Sequence, residues 1–264
     1  MQVISSKDNR IIKEAASLSG KKYRDELEEF LIEGPNIVKE AMQQGGRVRF
    51  IFTLAGAESD EIKEILSEAE AQDLAAYELT SDVFAKVTQT NSPQAIVAVM
   101  KKRQITEQEF FETVSDKNIL VLDRLQDPGN VGTVIRTAEA MGFGGLMVLK
   151  GTADVYQPKV VRSAAGSLLR FPVLFADTAA ECMEILERNN KKIYATAMNG
   201  KENVYDANLK KDVAVVIGNE GNGVCKELLE KANTLSIPMQ GQTESINAAI
   251  SAAIVMYESL RQRR

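Results

Sequence analysis

From Ile119 onward, short apolar runs alternate with amphipathic stretches, the pattern made by a largely parallel sheet with helices on both faces. The candidate strands are Ile119–Asp123, Gly145–Leu149, Phe171–Phe175, Lys192–Thr196, Asp212–Ile217 and Thr234–Pro238. Between the first two, Asn130 stands where an N-cap belongs. Val131, Val134, Ile135, Ala138 and Met141 then recur at helical spacing, and Gly142 can close the helix. This is one βαβ unit, and it sets the α/β class of the second half.

The first half reads differently. From Ile11 to about Arg103, helical stretches mix with apolar runs such as Arg47–Leu54 and Gln94–Met100, which suit buried strands. The segment Lys101–Asn118 is polar on both sides of Phe110 and Phe111 and reads as a boundary or linking helix. The sequence therefore predicts a smaller N-terminal α/β domain over residues 1–105 and a larger one over 116–264.

Composition narrows the chemistry. The chain has no histidine, which removes the commonest general base and metal ligand and every Ser-His or Cys-His nucleophile. Cys182 and Cys225 match no metal-ligand spacing and read as small packed hydrophobes, so no metal site is expected. The first residues show no apolar run behind a basic start and no uninterrupted apolar run is long enough to span a bilayer, so neither secretion nor membrane spanning is expected and the expected location is cytoplasmic. A net charge of −5 argues weakly against nucleic acid, but the charges are unevenly placed. Lys7, Arg10, Lys13, Lys21, Lys22 and Arg24 cluster near the start, Arg261, Arg263 and Arg264 close the chain, and acids concentrate from Glu58 to Asp73. Solvated helix faces would give the same charge pattern.

In open α/β sheets ligands bind beyond the carboxyl ends of the strands, so the loops after the strands carry the candidates. In Asp123–Arg136, Asn130 and Arg136 lie on the opening turns of a helix, near the carboxyl edge of the strand before it; a purely structural reading makes them a cap and a surface charge. In Ile217–Val224, three glycines follow an apolar strand, and a missing Cβ lets a ligand approach the backbone. The order is GxxGxG, while the dinucleotide and phosphate-loop fingerprints are absent; a turn without a ligand fits equally. In Ser236–Leu260, a helix is expected to begin near Thr243, placing Thr243, Glu244, Ser245 and Asn247 in its first turns. Thr243 would cap it and Glu244 would favour its dipole, or the polar groups would face a ligand.

At these three loops the chain resembles the SpoU, or TrmH-type, RNA ribose 2′-O-methyltransferases of the SPOUT superfamily. The motif NxGxxxR is matched by Asn130, Gly132 and Arg136, and GxEGxG by Gly218, Glu220, Gly221 and Gly223. The motif IPMxGxxESLN is matched by Ile237, Pro238, Met239, Gly241, Glu244, Ser245 and Asn247, with Ile246 where Leu is usual. Phe30–Ala41 is similar to the start of the family's L30e-like substrate-binding domain. The resemblance implies a deep trefoil knot in the second domain, a homodimer with active sites at the subunit interface, S-adenosylmethionine as cofactor, and RNA as substrate, with ribosomal RNA, of the 23S type, as the leading class.

It further implies that Gly218, Ile237 and Ile246 contact the cofactor largely through backbone, with Thr196, Ala197, Asn219, Glu220 and Met239 shaping its pocket. Asn130, Arg136, Ser245 and Asn247, with Glu220, form the catalytic side, facing the ribose and the transferred methyl group. Arg136 is read as a clamp on the hydroxyl and adjacent phosphate rather than as a base, because a guanidinium does not give up its proton. Alternatives at this stage are a non-catalytic RNA-binding or ribosome-associated protein of the same fold, a transfer-RNA 2′-O-methyltransferase, and a base methyltransferase.

Overall fold

A computed structural model describes residues 1–264 except 58, 89, 91 and 244. The chain forms two compact units, one of residues 1–103 with 156–169, the other of residues 104–155 with 170–264.

In the first unit the elements run β1 (Gln2–Ile4), α1 (Arg10–Ser17), α2 (Lys21–Glu26), β2 (Glu29–Glu33), α3 (Pro35–Gln43), β3 (Val48–Leu54), α4 (Asp60–Ala71), β4 (Ala76–Leu79), α5 (Ser81–Val87) and β5 (Ile96–Lys101). The strands make a mixed sheet in the order β1-β4-β3-β5-β2, in which β5 is antiparallel to both its neighbours. Phe50, Phe52, Val97 and Val99 meet Ile12, Leu18 and Phe84 in its core.

Much of the early basic cluster is occupied within this unit. Arg24 is buried and donates to the carbonyls of Leu18 and Ser19, while Lys7 pairs with Asp82 and Lys13 with Asp8. Arg10 and Lys21 remain exposed.

The chain continues with α6 (Glu107–Thr113), β6 (Ile119–Leu122), α7 (Pro128–Ala140), β7 (Gly145–Leu149), α8 (Pro158–Ser163), α9 (Ser167–Arg170), β8 (Val173–Ala176), α10 (Ala179–Arg188), β9 (Lys192–Thr196), β10 (Glu202–Asn203), β11 (Val213–Ile217), α11 (Lys226–Lys231), β12 (Asn233–Ser236) and α12 (Ala248–Gln262). Helix α8 packs on β2 and so belongs to the first unit. No local pattern announces this, because its apolar residues would suit any sheet.

The second unit holds a parallel sheet ordered β10-β12-β9-β11-β6-β7-β8. Side chains alternate across a strand. Ile119, Val121, Met147, Ala214 and Val216 pack with residues of α6, α10 and α11, including Phe110, Cys182, Leu186 and Leu228. Leu120, Leu122, Leu146, Val215 and Ile217, one residue out of step, are equally buried, and α7 and α12 lie against β7 and β11. Both faces are thus covered, as the near-continuous apolar strands require. The expected strands are present, and the sequence reading missed only the short β10 among the described residues of this sheet.

Two helix starts differ from the expectation. Asp127, not Asn130, caps α7: its side chain accepts from the Asn130 N–H at 2.9 Å, and Pro128 occupies the first helical position, where a missing N–H is harmless. Helix α12 begins at Ala248 rather than near Thr243, because Asn247 Oδ1 accepts from the N–H groups of Ala249 and Ile250 and stops the helix there. Thr243, Ser245 and Ile246 are loop residues, and Glu244 lies outside the described residues.

A buried asparagine locks the amino end of the central strand. Asn118 donates to Leu209 O at 2.7 Å and Ser259 Oγ at 2.8 Å and accepts from Val213 N–H at 2.9 Å, tying β6, β11 and α12 together. Asn118→Ala leaves the buried Val213 donor without that acceptor, and an unmade bond of this kind costs about 1–3 kcal/mol. Denaturant unfolding of the variant should show that loss, and an unchanged midpoint would mean the three bonds do not hold the fold.

Candidate functional site

The carboxyl end of β6 carries Asp123, only 1% exposed. Its carboxylate receives the Cys225 N–H at 2.6 Å and the Arg124 guanidinium through Nε at 2.7 Å and a terminal nitrogen at 3.0 Å. Arg124 itself has φ +56° and its carbonyl accepts from Asn219 Nδ2 at 2.9 Å. The loops after β6 and β11 are therefore held together from beneath by one buried acid, a residue the sequence reading passed over. The only hint was a charge ending the apolar run ILVLD.

The glycine-rich loop after β11 folds on its own side chain. Asn219 and Gly223 exchange backbone hydrogen bonds at 3.1 and 2.9 Å, and Asn219 Oδ1 accepts from the N–H groups of Gly221 and Asn222, each at 3.0 Å. A Cβ on Gly218 would stand 2.2 Å from Gly223 C and Val224 N. The expectation that Gly218 is small to admit a ligand needs correcting, since the chain's own turn already fills that space.

This tight turn presents Glu220. Its carboxylate accepts from the backbone N–H of Gln126 at 3.0 Å, the backbone N–H of Asp127 at 2.9 Å and the side chain of Asn130 at 3.0 Å. Asn130 Oδ1 in turn accepts from Asn247 Nδ2 at 3.0 Å. A carboxylate can only accept and helix N–H groups can only donate, so the ends of this chain of bonds fix every amide orientation between them. The relay runs from the start of α12 through Asn247 and Asn130 to Glu220, joining all three sequence motifs. Burial alone would raise the Glu220 carboxyl, but its three donors outweigh that and hold it below the usual 4.5.

The other candidates fall into two groups. Thr196 and Ala197 close β9, Gly218 and Asn219 follow β11, and Ile237 and Met239 follow β12; since these strands are sheet neighbours, their loops lie side by side along the carboxyl edge. Ala197 N–H is bonded to Leu235 O at 2.8 Å and Thr196 Oγ1 to Val216 O at 3.2 Å, so both are fixed. Ile237 and Ile246 are half-buried and Met239 is 41% exposed. Apolar side chains beside loop backbone suit a neutral nucleoside carrying a sulfonium. Among the described residues no cluster of His, Cys, Asp or Glu could hold a metal.

Arg136 and Ser245 stand outside the relay. Arg136 is exposed and makes no hydrogen bond or ion pair among the described residues; it lies about 9 Å further along α7 than Asn130. Ser245 is exposed in the loop before α12.

Fold and site define a parallel-sheet protein whose ligand loops are clamped by a polar relay, and comparison with known proteins gives that class its family. The chain belongs to the SpoU rRNA Methylase family, whose model matches residues 117–257, and residues 9–98 match the MRM3-like substrate binding domain. It is 36% identical over 258 residues, 97% of this chain and 98% of the relative, to the 23S rRNA (guanosine(2553)-2′-O)-methyltransferase RlmP of Bacillus subtilis. It is 30% identical, over 98% of this chain and 92% of the relative, to the 23S rRNA (uridine(2479)-2′-O)-methyltransferase of Streptomyces viridochromogenes. Among solved structures, the AdoMet-bound rRNA methyltransferase of Sinorhizobium meliloti superposes with a TM-score of 0.87 at 27% identity, covering 98% of this chain and 97% of that one. The AdoMet complex of the SpoU methyltransferase AviRb from Streptomyces viridochromogenes gives 0.86 at 29%, covering 97% and 98%. The cofactor is S-adenosylmethionine, as expected.

Glu220→Gln replaces an oxygen that only accepts with an NH₂ facing donors. Because the folded carboxyl sits below its unfolded value, its contribution to stability is present above pH 4.5 and is lost as pH falls through the folded value. Urea midpoints of wild type and Glu220→Gln, compared between about pH 3 and pH 7, should differ near neutrality and converge in acid. A gap that persists undiminished at low pH would remove the carboxylate from this role.

Proposed function

We propose that the chain transfers the methyl group of S-adenosylmethionine to a ribose 2′-hydroxyl of ribosomal RNA, of the 23S type on which both relatives named above act. The relay carries this reading: it locks the three motif loops into one frame, and in-line transfer depends on such positioning. The cofactor supplies an electrophilic methyl on a sulfonium. Gly218, Asn219, Ile237, Met239 and Ile246, with Thr196 and Ala197 behind them, form its bed. Glu220, whose oxygens already face three donors of its own chain, positions Asn130 and the α7 N-terminus; Asn130 and Asn247 orient the ribose. Residues 1–105, with their match to a substrate-binding domain, dock the RNA, and residues 116–264 carry the transfer.

Arg136 and Ser245, free of partners among the described residues, are the groups left to meet substrate. Arg136 approaches the ribose across a homodimer. An apolar row on α12 supports this: Ile250 and Tyr257 are 53% and 60% exposed, with half-buried Ile254 between them on the same face. No helix of the described residues is long and apolar enough to cross a membrane, and a ribosomal RNA substrate supports a cytoplasmic location.

The test is to incubate the purified full chain with labelled S-adenosylmethionine and 23S rRNA and to map 2′-O-methylated positions. Label on a base, or none on RNA, would end this reading. Arg136→Ala should bind the cofactor nearly as wild type yet lose roughly 10²-fold or more in single-turnover transfer, as when an oxyanion-stabilising donor is removed. Arg136→Lys should recover little, since an ammonium lacks the planar fork. Near-normal transfer by the alanine variant would make Arg136 an ordinary surface charge.

A further inference from the structure

The carboxyl edge of the sheet carries a surface that the motifs account for only at Met239. Three large apolar side chains stand exposed there: Met198 after β9 at 62%, Tyr205 after β10 at 63%, and Met239 after β12 at 41%. The register sets Thr196, Leu235 and Glu202 in one row across β9, β12 and β10, and all three exposed residues come after that row. They therefore belong to the same edge as the cofactor loops.

The turn holding Tyr205 is rigid. Val204 is fully buried and bonds Ser236 O at 3.0 Å, the N–H groups of Asp206 and Ala207 both reach Asn203 O, and Gln262 Nε2 donates to the carbonyl of the buried Ala207 at 2.8 Å. The buried Val204 and Ala207 bracket the exposed pair Tyr205 and Asp206. An exposed tyrosine on a loop could fold down over apolar surface, but this one is held out.

The segment around the ring carries Lys201 against two acids, Glu202 and Asp206, so it is slightly acidic and the patch is no phosphate funnel. A neutral aromatic face, on the same edge as two exposed thioethers, recognises a planar, uncharged partner, and sequence-tolerant stacking of unpaired bases on aromatic side chains is how proteins hold single-stranded RNA. We propose that Tyr205 stacks a base flanking the target ribose and so positions the RNA strand over the cofactor loops. This rests on the reading of the site as an RNA methyltransferase. The apolar row of α12 is a separate surface for a second copy of the chain.

The experiment uses the full chain, in-vitro-transcribed 23S rRNA and labelled S-adenosylmethionine. Tyr205→Ala should raise KM for RNA about 10-fold or more, the defect falling in KM rather than kcat, with cofactor affinity and elution volume unchanged. Tyr205→Phe, which keeps the ring, should stay within about twofold of wild type. An unchanged KM in the alanine variant, an equal loss in the phenylalanine variant, or a shift in oligomeric state with alanine would overturn the stacking role while wild type still methylates. If wild type itself transfers no methyl to ribose, the underlying reading fails and the inference falls with it.

Discussion

Glu220 sets the direction of the site. Because its carboxylate has no proton to give, Asn130 must turn its NH₂ toward it and its carbonyl away, and Asn247 must answer with its own NH₂. The remaining oxygen of Asn247 then meets the open N–H donors at the start of α12. Apart from Asn130, which is half-buried, the relay is exposed, so water competes for each bond and the net stabilisation of each is modest. A ligand laid over the loops would exclude that water and strengthen the same bonds.

The relay is useful only if its two helices keep register, and both ends of the α7–α12 pair are fastened. At their N-terminal ends Asn247 meets Asn130; at the other end Arg263 donates to the carbonyls of Met141 at 2.6 Å and Gly142 at 3.2 Å, just past the end of α7. The two helices therefore run in the same direction, which places their dipoles side by side unfavourably. Charges answer this: the carboxylates of Asp127 and Glu220 sit at the N-terminus of α7 and the Arg263 guanidinium at its C-terminus. Below them, Asn118 and Asp123 pin opposite ends of β6.

What the sequence made legible was whatever repeats locally. The strands of the second unit follow from apolar runs, and the motif residues Asn130, Glu220 and Asn247 stand in, or in the first turn after, loops that strand order alone marks out for ligands. Helix starts were less legible because Asn, Asp and Thr all cap, and only the fold decides among Asp127 and Asn130, or Thr243 and Asn247. Gly218 misled in a specific way, since a sequence cannot tell a glycine required by a ligand from one required by a backbone 2.2 Å away. The terminal charges misled similarly: Arg24 is buried against carbonyls, Arg261 pairs with Glu258, and Arg263 closes α7, none of which spacing could reveal.

Hydrogen-bond satisfaction separates the roles of the motif residues better than their position in the motifs does. A polar group whose bonds are met by its own chain has little left for a substrate, and its value lies in holding others still; this is the condition of Glu220, Asn219 and Asp123. Arg136, Ser245 and Tyr205 are exposed and make no such bonds among the described residues, so folding alone gives their side chains no task. The division follows the physics of pre-organisation: reacting groups need to be held by a frame that does not itself reorganise, and a frame of mutually satisfied donors and acceptors meets that need.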